Sequence, residues 1–333
     1  MIEGPYRYTI LWRMFFEKLL QFIDAFVMVI DLRGNIVFAN KKYLKSLSAS
    51  SEKVIGKKWI KSFVPHSKRR IVREMFSAMK KEKTLCRCNI SMITSKGKEV
   101  CVNWMGVPLS KNRSSVYMMV GKEGCEESGS EGSFLPVTKL VEEYEIIVDR
   151  LFEASRVSEP GTASHAARVM IFAVKLAKKL KISKVRTERI KRAALLHDLG
   201  KLAIDREVLL KKGELDKGEY EQIKNHPHWG SEMVGLMYFL QDILPIIENH
   251  HENYDGTGYP RGLQGEEIPV GARILSVVDI YEALIADRPY RKGFSIDEAV
   301  AIIKGEKGRK LDPEIADTFL DMLDKGEMNE EDV

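Results

Sequence analysis

The pattern of apolar and polar positions changes period along the chain. In the first third, short apolar runs alternate with turn residues. Residues 26–30 form one such run, Asp31-Leu32-Arg33-Gly34-Asn35 reads as a turn, and residues 36–39 return as the second arm of a hairpin. Ahead of it, Phe16, Leu19, Leu20 and Ile23 have helical spacing. Asn40 opens a helical stretch, and residues 85–93, 99–107 and 116–120 read as three more strands, the first two joined by a turn at Ser95-Lys96-Gly97-Lys98. Two strands, short helices and three strands predict one antiparallel sheet.

From Thr162 onward the period becomes helical. Helices are expected over residues 163–180, 185–199, 217–225, 230–236, 240–253, 272–286, 296–304 and 313–324, with Gly200 and Gly305 where a helix would stop. Between the two regions, residues 121–136 are rich in Gly, Ser and Glu and read as a surface linker. Residues 137–156 read as one helix in which Val137, Val141, Tyr144, Val148 and Leu151 are spaced 4, 3, 4, 3, an a/d seam. This helix either packs on its own domain or forms a short dimeric coiled coil between the two halves. Two heptads are too few to be stable alone.

Length and composition narrow the class. With 333 residues the chain has room for two domains. The net charge of +5, spread over 30% charged residues, is too weak and too balanced for a duplex nucleic-acid partner, though it suits a small anionic ligand. Cys86, Cys88, Cys101 and Cys125 match no zinc-ribbon spacing and are expected to be reduced thiols. No apolar run approaches the roughly 20 residues of a membrane span. The N-terminus carries no basic-then-apolar signal, so a cytoplasmic location is expected. Glutamine occurs only at Gln21, Gln222, Gln241 and Gln264, a hint of a thermophilic source.

The chemistry concentrates in the second half. Six of the seven histidines follow residue 164. His165, His197-Asp198, His226, His250-His251 and Asp279 form a set of imidazoles and carboxylates large enough for two first-row metals, with no thiolate among them. His197 and Asp198 end an apolar run, Ala193-Ala194-Leu195-Leu196, where a charged pair is costly unless something binds it. Adjacent helical residues point about 100° apart, so the pair can serve one site only at a helix end or if Asp198 bridges two ions. His228 and His66 read as solvated surface residues.

Two resemblances follow from these residues. Val29-Ile30-Asp31 before Gly34, Ala39-Asn40 before a helix, Ile55-Gly56-Lys57 and Trp104 resemble a PAS sensor domain over residues 13–123. His197-Asp198 with Gly258-Tyr259-Pro260, set among Leu195 to Lys201, Ile268-Pro269, Ala272-Arg273 and Asp287-Arg288-Pro289-Tyr290-Arg291, resembles the HD-GYP branch of the HD phosphohydrolases. The expected organisation is an α+β PAS-like domain (13–123), a linker and signalling helix (124–156), and an all-α HD-type domain (157–325).

The HD-GYP resemblance implies a phosphodiesterase that opens cyclic di-GMP to linear pGpG, and on to GMP in some members. It implies one ion on His165, His197, Asp198 and Asp279 and a second on His226, His250 and His251, with Asp198 bridging. Iron is expected first and manganese next, because imidazole and carboxylate ligands favour them over zinc. Asp198 and Lys201 take catalytic roles, and Lys201, Tyr259, Arg288 and Arg291 contact substrate. Relatives with a third metal use a Glu four residues before the first His. Here that position is Gly161 and the nearest acid is Glu159, so two metals are expected. Glu282 stands where the family has Asp in an Asp-Ala-Leu segment. A homodimer is expected from the helix seam and from PAS habits. The sensor shows no cofactor fingerprint, so its ligand is left open. The rival readings are a non-catalytic dinucleotide- or partner-binding module and a phosphodiesterase of another cyclic dinucleotide.

Overall fold

The structure, a computed structural model, describes residues 20, 21, 23, 25–82, 86–108, 116–124, 148, 152, 162–211, 213–235, 237–287 and 292–328. The chain divides into two compact units, the second beginning at Ser155.

The first unit is built on strands β1 (Phe26–Ile30), β2 (Ile36–Ala39), β3 (Cys86–Ile93), β4 (Glu99–Pro108) and β5 (Tyr117–Glu123). They form one antiparallel sheet in the order β2-β1-β5-β4-β3. Helices α1 (Lys41–Leu47), α2 (Ser51–Val54), α3 (Trp59–Phe63) and α4 (Arg69–Glu82) lie between β2 and β3. The strands follow the chain order expected, two and then three in one antiparallel sheet, but β5 runs three residues past Val120, because Lys122 and Glu123 still pair with Asn103 and Val102 of β4. The linker therefore starts later than its composition suggested. The amphipathic 14-residue α4 is also longer than the short helices expected there.

The hairpin turn is held by Asp31, whose carboxylate accepts from Arg33 N, Asn35 N and Asn35 Nδ2 at 2.8 Å each. Asn40 is fully buried and satisfied on both sides. Its Oδ1 accepts from Tyr43 N (3.0 Å), capping α1, and from Val27 N (3.1 Å), and its Nδ2 donates to Ala25 O (2.8 Å). An apolar residue here would strand those backbone groups. The core behind the sheet is aromatic: Tyr43, Trp59 and Trp104 are fully buried, and Trp59 and Trp104 meet edge-on at 5.4 Å. Gly121 pairs with Trp104 across β4 and β5, and a Cβ there would lie 2.8 Å from the indole.

Cys86 and Cys88 are buried thiols, but Cys101 is disulfide-bonded, with its partner outside the described residues. This corrects the expectation of four reduced thiols. Disulfides are uncommon in the cytosol, intracellular proteins of hyperthermophiles being the exception.

The described part of the second unit is helical: α5 (Thr162–Lys179), α6 (Lys184–Leu196), α7 (Arg206–Leu209), α8 (Lys217–Lys224), α9 (His226–Gly235), α10 (Leu244–Glu248), α11 (Val270–Ile285), α12 (Ile296–Glu306) and α13 (Pro313–Asp324). Several boundaries differ from expectation, among them the helix expected over 185–199, which ends at Leu196. The helix expected over 230–236 starts at His226, since Pro227 is compatible with a first turn. The one expected over 240–253 is a short 3-10 segment and then α10, ending at Glu248. Gly305 lies inside α12, and the chain turns instead at Gly308, where φ is +73°. The heptad seam of residues 137–151 falls outside the described residues except Val148. No helix of the described residues is long and apolar enough to cross a membrane.

Candidate metal centre

Three histidines reach the site by the same local device. His197 caps the C-terminus of α6, His226 follows α8, and His250 follows α10. A helix leaves its last carbonyls without intrahelical partners. Each imidazole donates its Nδ1–H to one of them: His197 to Ala194 O (2.7 Å), His226 to Ile223 O (2.7 Å) and His250 to Ile247 O (2.6 Å). That bond fixes the ring orientation and turns each Nε2 inward. Asp198 has left the helix (φ −92°, ψ 3°), which lets it share a site with His197 despite their adjacency.

The inward atoms converge. Asp279 Oδ1 on α11 lies 3.0 Å from His165 Nε2 and 3.7 Å from His197 Nε2. Asp198 faces both sides: Oδ2 is 3.5 Å from His197 Nε2, and Oδ1 is 3.3 Å from His226 Nε2. His226 and His250 meet Nε2 to Nε2 at 3.4 Å. The ligand atoms form three overlapping groups, each within 4.8 Å: His165/His197/Asp279, His197/Asp198/His250 and His226/His250/His251. Lys201 Nζ donates to Asp198 Oδ2 at 2.7 Å.

Burial opposes the ionised form of Asp198, but Lys201, His197 and His226 outweigh it and hold the carboxyl well below its usual range. Asp279 is depressed likewise by His165 and His197 against the cost of burial. Burial also disfavours His197 protonation, yet Asp198 and Asp279 raise it to about 9. His251 is lowered to about 4 by burial and by His226, and His250 well below its usual value by burial and by His251.

This donor set fits divalent cations. His197 Nε2 is buried and makes no hydrogen bond. His226 and His250 present lone pairs to each other, an arrangement that a bound cation would relieve. The ligands are imidazole and carboxylate only, as borderline and hard first-row ions prefer.

Two family models match the chain: the PAS fold over residues 15–123 and the HD domain over residues 152–315. The chain joins a PAS domain to an HD domain. The expected α+β and all-α classes are those of these two domains. The HD domain is 40% identical over 175 residues to the "Cyclic di-GMP phosphodiesterase response regulator RpfG" of Xanthomonas campestris, covering 52% of this chain and 46% of that protein. It is 37% identical over 170 residues to the "3'3'-cGAMP-specific phosphodiesterase 3" of Vibrio cholerae, covering 51% and 37%. The "Cyclic di-GMP phosphodiesterase" of Thermotoga maritima is 35% identical over 187 residues, covering 54% and 50%. The matches thus span half or less of the relatives' own lengths.

Within the HD domain, Tyr259 lies at the edge of the site. Its N–H donates to His251 O (3.1 Å), and its ring stands 5.0 Å from the His251 ring at 32°. The Tyr259-Pro260 peptide is cis. Arg288 and Arg291, expected to contact substrate, fall outside the described residues, as do Gly161 and Glu159. His228 is half exposed beside Glu232, away from the ligand groups. His66 is exposed in the PAS domain.

Three residues were missed by sequence reasoning. Glu252 is buried and accepts from Arg261 N (2.6 Å) and Leu263 N (3.1 Å), pinning the loop that carries Tyr259. An acid directly after the His pair was its only signal. Arg168 donates to the buried Glu282 carboxylate at 2.7 Å, and Glu282 stands 4.0 Å from His165 Nδ1. Gly200 was read as a helix stop, yet a Cβ there would lie 1.9 Å from His226 O. Its smallness lets the turn after Asp198 touch the start of α9.

Proposed function

We propose that this chain is a metal-dependent phosphodiesterase of cyclic dinucleotides, opening cyclic di-GMP to linear pGpG. The observation that carries the reading is Asp198, flanked by one imidazole cluster on each side and by Lys201. His165, His197 and Asp279 would hold one ion, His226, His250 and His251 the other, and Asp198 would bridge them. Iron is the first candidate and manganese the next. Two such ions would supply an activated water and Lewis-acid polarisation of the phosphoryl group.

The protein's own groups supply the rest. Lys201 offers a cation beside the bridging carboxylate, placed to offset charge on the phosphoryl oxygens. Tyr259 borders the substrate, and Arg288 and Arg291 add positive charge to it. The PAS domain regulates turnover, the protein acts as a homodimer, and the cytoplasm is the compartment of its nucleotide substrate. A second reading, with 3'3'-cGAMP as the preferred substrate, draws on the Vibrio cholerae relative so named.

The test is anaerobic loading with ferrous iron or manganese, metal counting, and chromatography of products from each dinucleotide. Linear pGpG or GMP with about two metals per chain is expected. Metal loading and tight binding without product would replace the enzyme with a binding module, and selective cleavage of 3'3'-cGAMP would favour the second reading.

A further inference from the structure

A second set of side chains stands just outside the metal centre. α8 runs directly into His226, and its last turn carries Lys224. The Lys224 ammonium lies 5.5 Å from the centroid of the Tyr259 ring and 5.7 Å from that of Tyr220. Both distances fall inside the range of cation–π attraction. Its carboxylate neighbour among the described residues, Glu221 at 3.4 Å, is itself 63% exposed, an ion pair of little weight. Tyr220 is 51% exposed and is the one aromatic ring among the exposed large apolar side chains of the described residues. Moving outward from His251 there is thus a continuous series: the Tyr259 ring, the Lys224 ammonium and the Tyr220 ring.

A solvated lysine on a helix surface needs no second ring, and an exposed tyrosine stabilises nothing by facing water. Together they make a cation flanked by π-faces, the combination that binds a phosphate next to a base. A cyclic dinucleotide has two phosphodiesters. With one at the metals beside Lys201, the other phosphate and its base extend away from them and need a separate counter-charge and stacking surface.

We propose that Tyr220 and Lys224 form an outer subsite in which Lys224 binds the phosphate that is not being cleaved and Tyr220 stacks on a purine base. This rests on the cyclic dinucleotide reading above. The subsite acts on recognition and not on bond breaking, so it separates a cyclic dinucleotide from a small diester that fills only the metal centre.

The experiment compares wild type, Lys224→Met, Lys224→Arg, Tyr220→Ala and Tyr220→Phe, each metal-loaded. For each, kcat and KM are measured on cyclic di-GMP, 3'3'-cGAMP and bis(p-nitrophenyl) phosphate, with calorimetric binding of both dinucleotides. Lys224→Met and Tyr220→Ala should raise the dinucleotide KM about tenfold, with kcat moving far less, so that preference over the small diester falls by the same factor. Lys224→Arg and Tyr220→Phe should restore most of it. The subsite is overturned if both disruptive variants keep the wild-type preference within twofold. If wild type cleaves the small diester but neither binds nor cleaves a cyclic dinucleotide, the functional reading itself fails and takes the subsite with it.

Discussion

His226 and His250 face each other through their Nε2 atoms at 3.4 Å, while each donates its Nδ1–H to a carbonyl at the end of the preceding helix. With the proton held on the far side, two lone pairs point into one space. The pair could hold a cation, with His251 close enough to complete the group. His250→Ala should lower metal content from about two ions per chain to about one, because the His165, His197 and Asp279 group is left intact. Turnover should fall by more than the roughly 10–100-fold typical of losing an outer partner of a metal ligand. Metal analysis beside steady-state kinetics checks this, and unchanged stoichiometry would refute the assignment.

Protonation of the metal-free centre predicts a stability maximum. His197, raised to about 9, stabilises the fold fully below the ordinary 6.5, and that contribution is lost as pH rises toward 9. His251, lowered to about 4, acts in the opposite sense: its contribution is full above 6.5 and is lost as pH falls toward 4. The chelated protein should therefore melt highest near pH 6.5 as far as these groups decide. Metal takes the place of the His197 proton, so loading at neutral pH should release protons and flatten the alkaline fall. Calorimetry in buffers of different ionisation enthalpy reads the release. Chelated protein whose melting temperature climbs between pH 7 and 9 would contradict the scheme.

Much of this could be read from residue order. Phe26–Ile30 and Ile36–Ala39 have the bounds that their apolar runs predict, and Pro313–Asp324 begins at its proline. The clustering of His165, His197, Asp198, His226, His250, His251 and Asp279 followed the motifs. What escaped was contact between distant backbones. No local pattern says that Gly200 must lie against His226, or that Glu252 is turned inward to hold Arg261 and Leu263. These are packing facts, visible only after the helices are assembled. The helix expected over 240–253 failed for a related reason: His250 had to lie beyond a helix end to use the carbonyl of Ile247. The Cys101 disulfide has its partner outside the described residues, and spacing alone did not reveal it.

Glu252 is expected to act through loop position. Its carboxylate holds two backbone N–H groups of the segment that follows Tyr259 and Pro260. Glu252→Ala leaves those donors without acceptors, at a cost of about 1–3 kcal/mol each. Metal content should persist while dinucleotide KM rises, and exchange of the Arg261 and Leu263 amides with deuterium should accelerate. Glu252→Gln keeps one acceptor and should fall between. If Glu252→Ala instead strips the metals, the residue supports the ligands and not the loop.

Gly200 provides the sharpest test of how the centre is assembled. A methyl group there would sit 1.9 Å from His226 O and 2.5 Å from Gly230 N, both backbone atoms that no side-chain rotation can clear. Gly200→Ala must push the turn after Asp198 away from α9, at a cost of about 1–3 kcal/mol or more. The displacement separates Asp198 from His226, so affinity should drop first at the ion proposed for His226, His250 and His251. The matched control is Gly305→Ala in α12, where nothing lies within 4 Å and alanine should stabilise by up to about 1 kcal/mol. Thermal melts and metal titration of the two variants separate general loss of stability from this specific effect. Equal behaviour of both would mean that the close approach of Gly200 to His226 does not govern the metal centre.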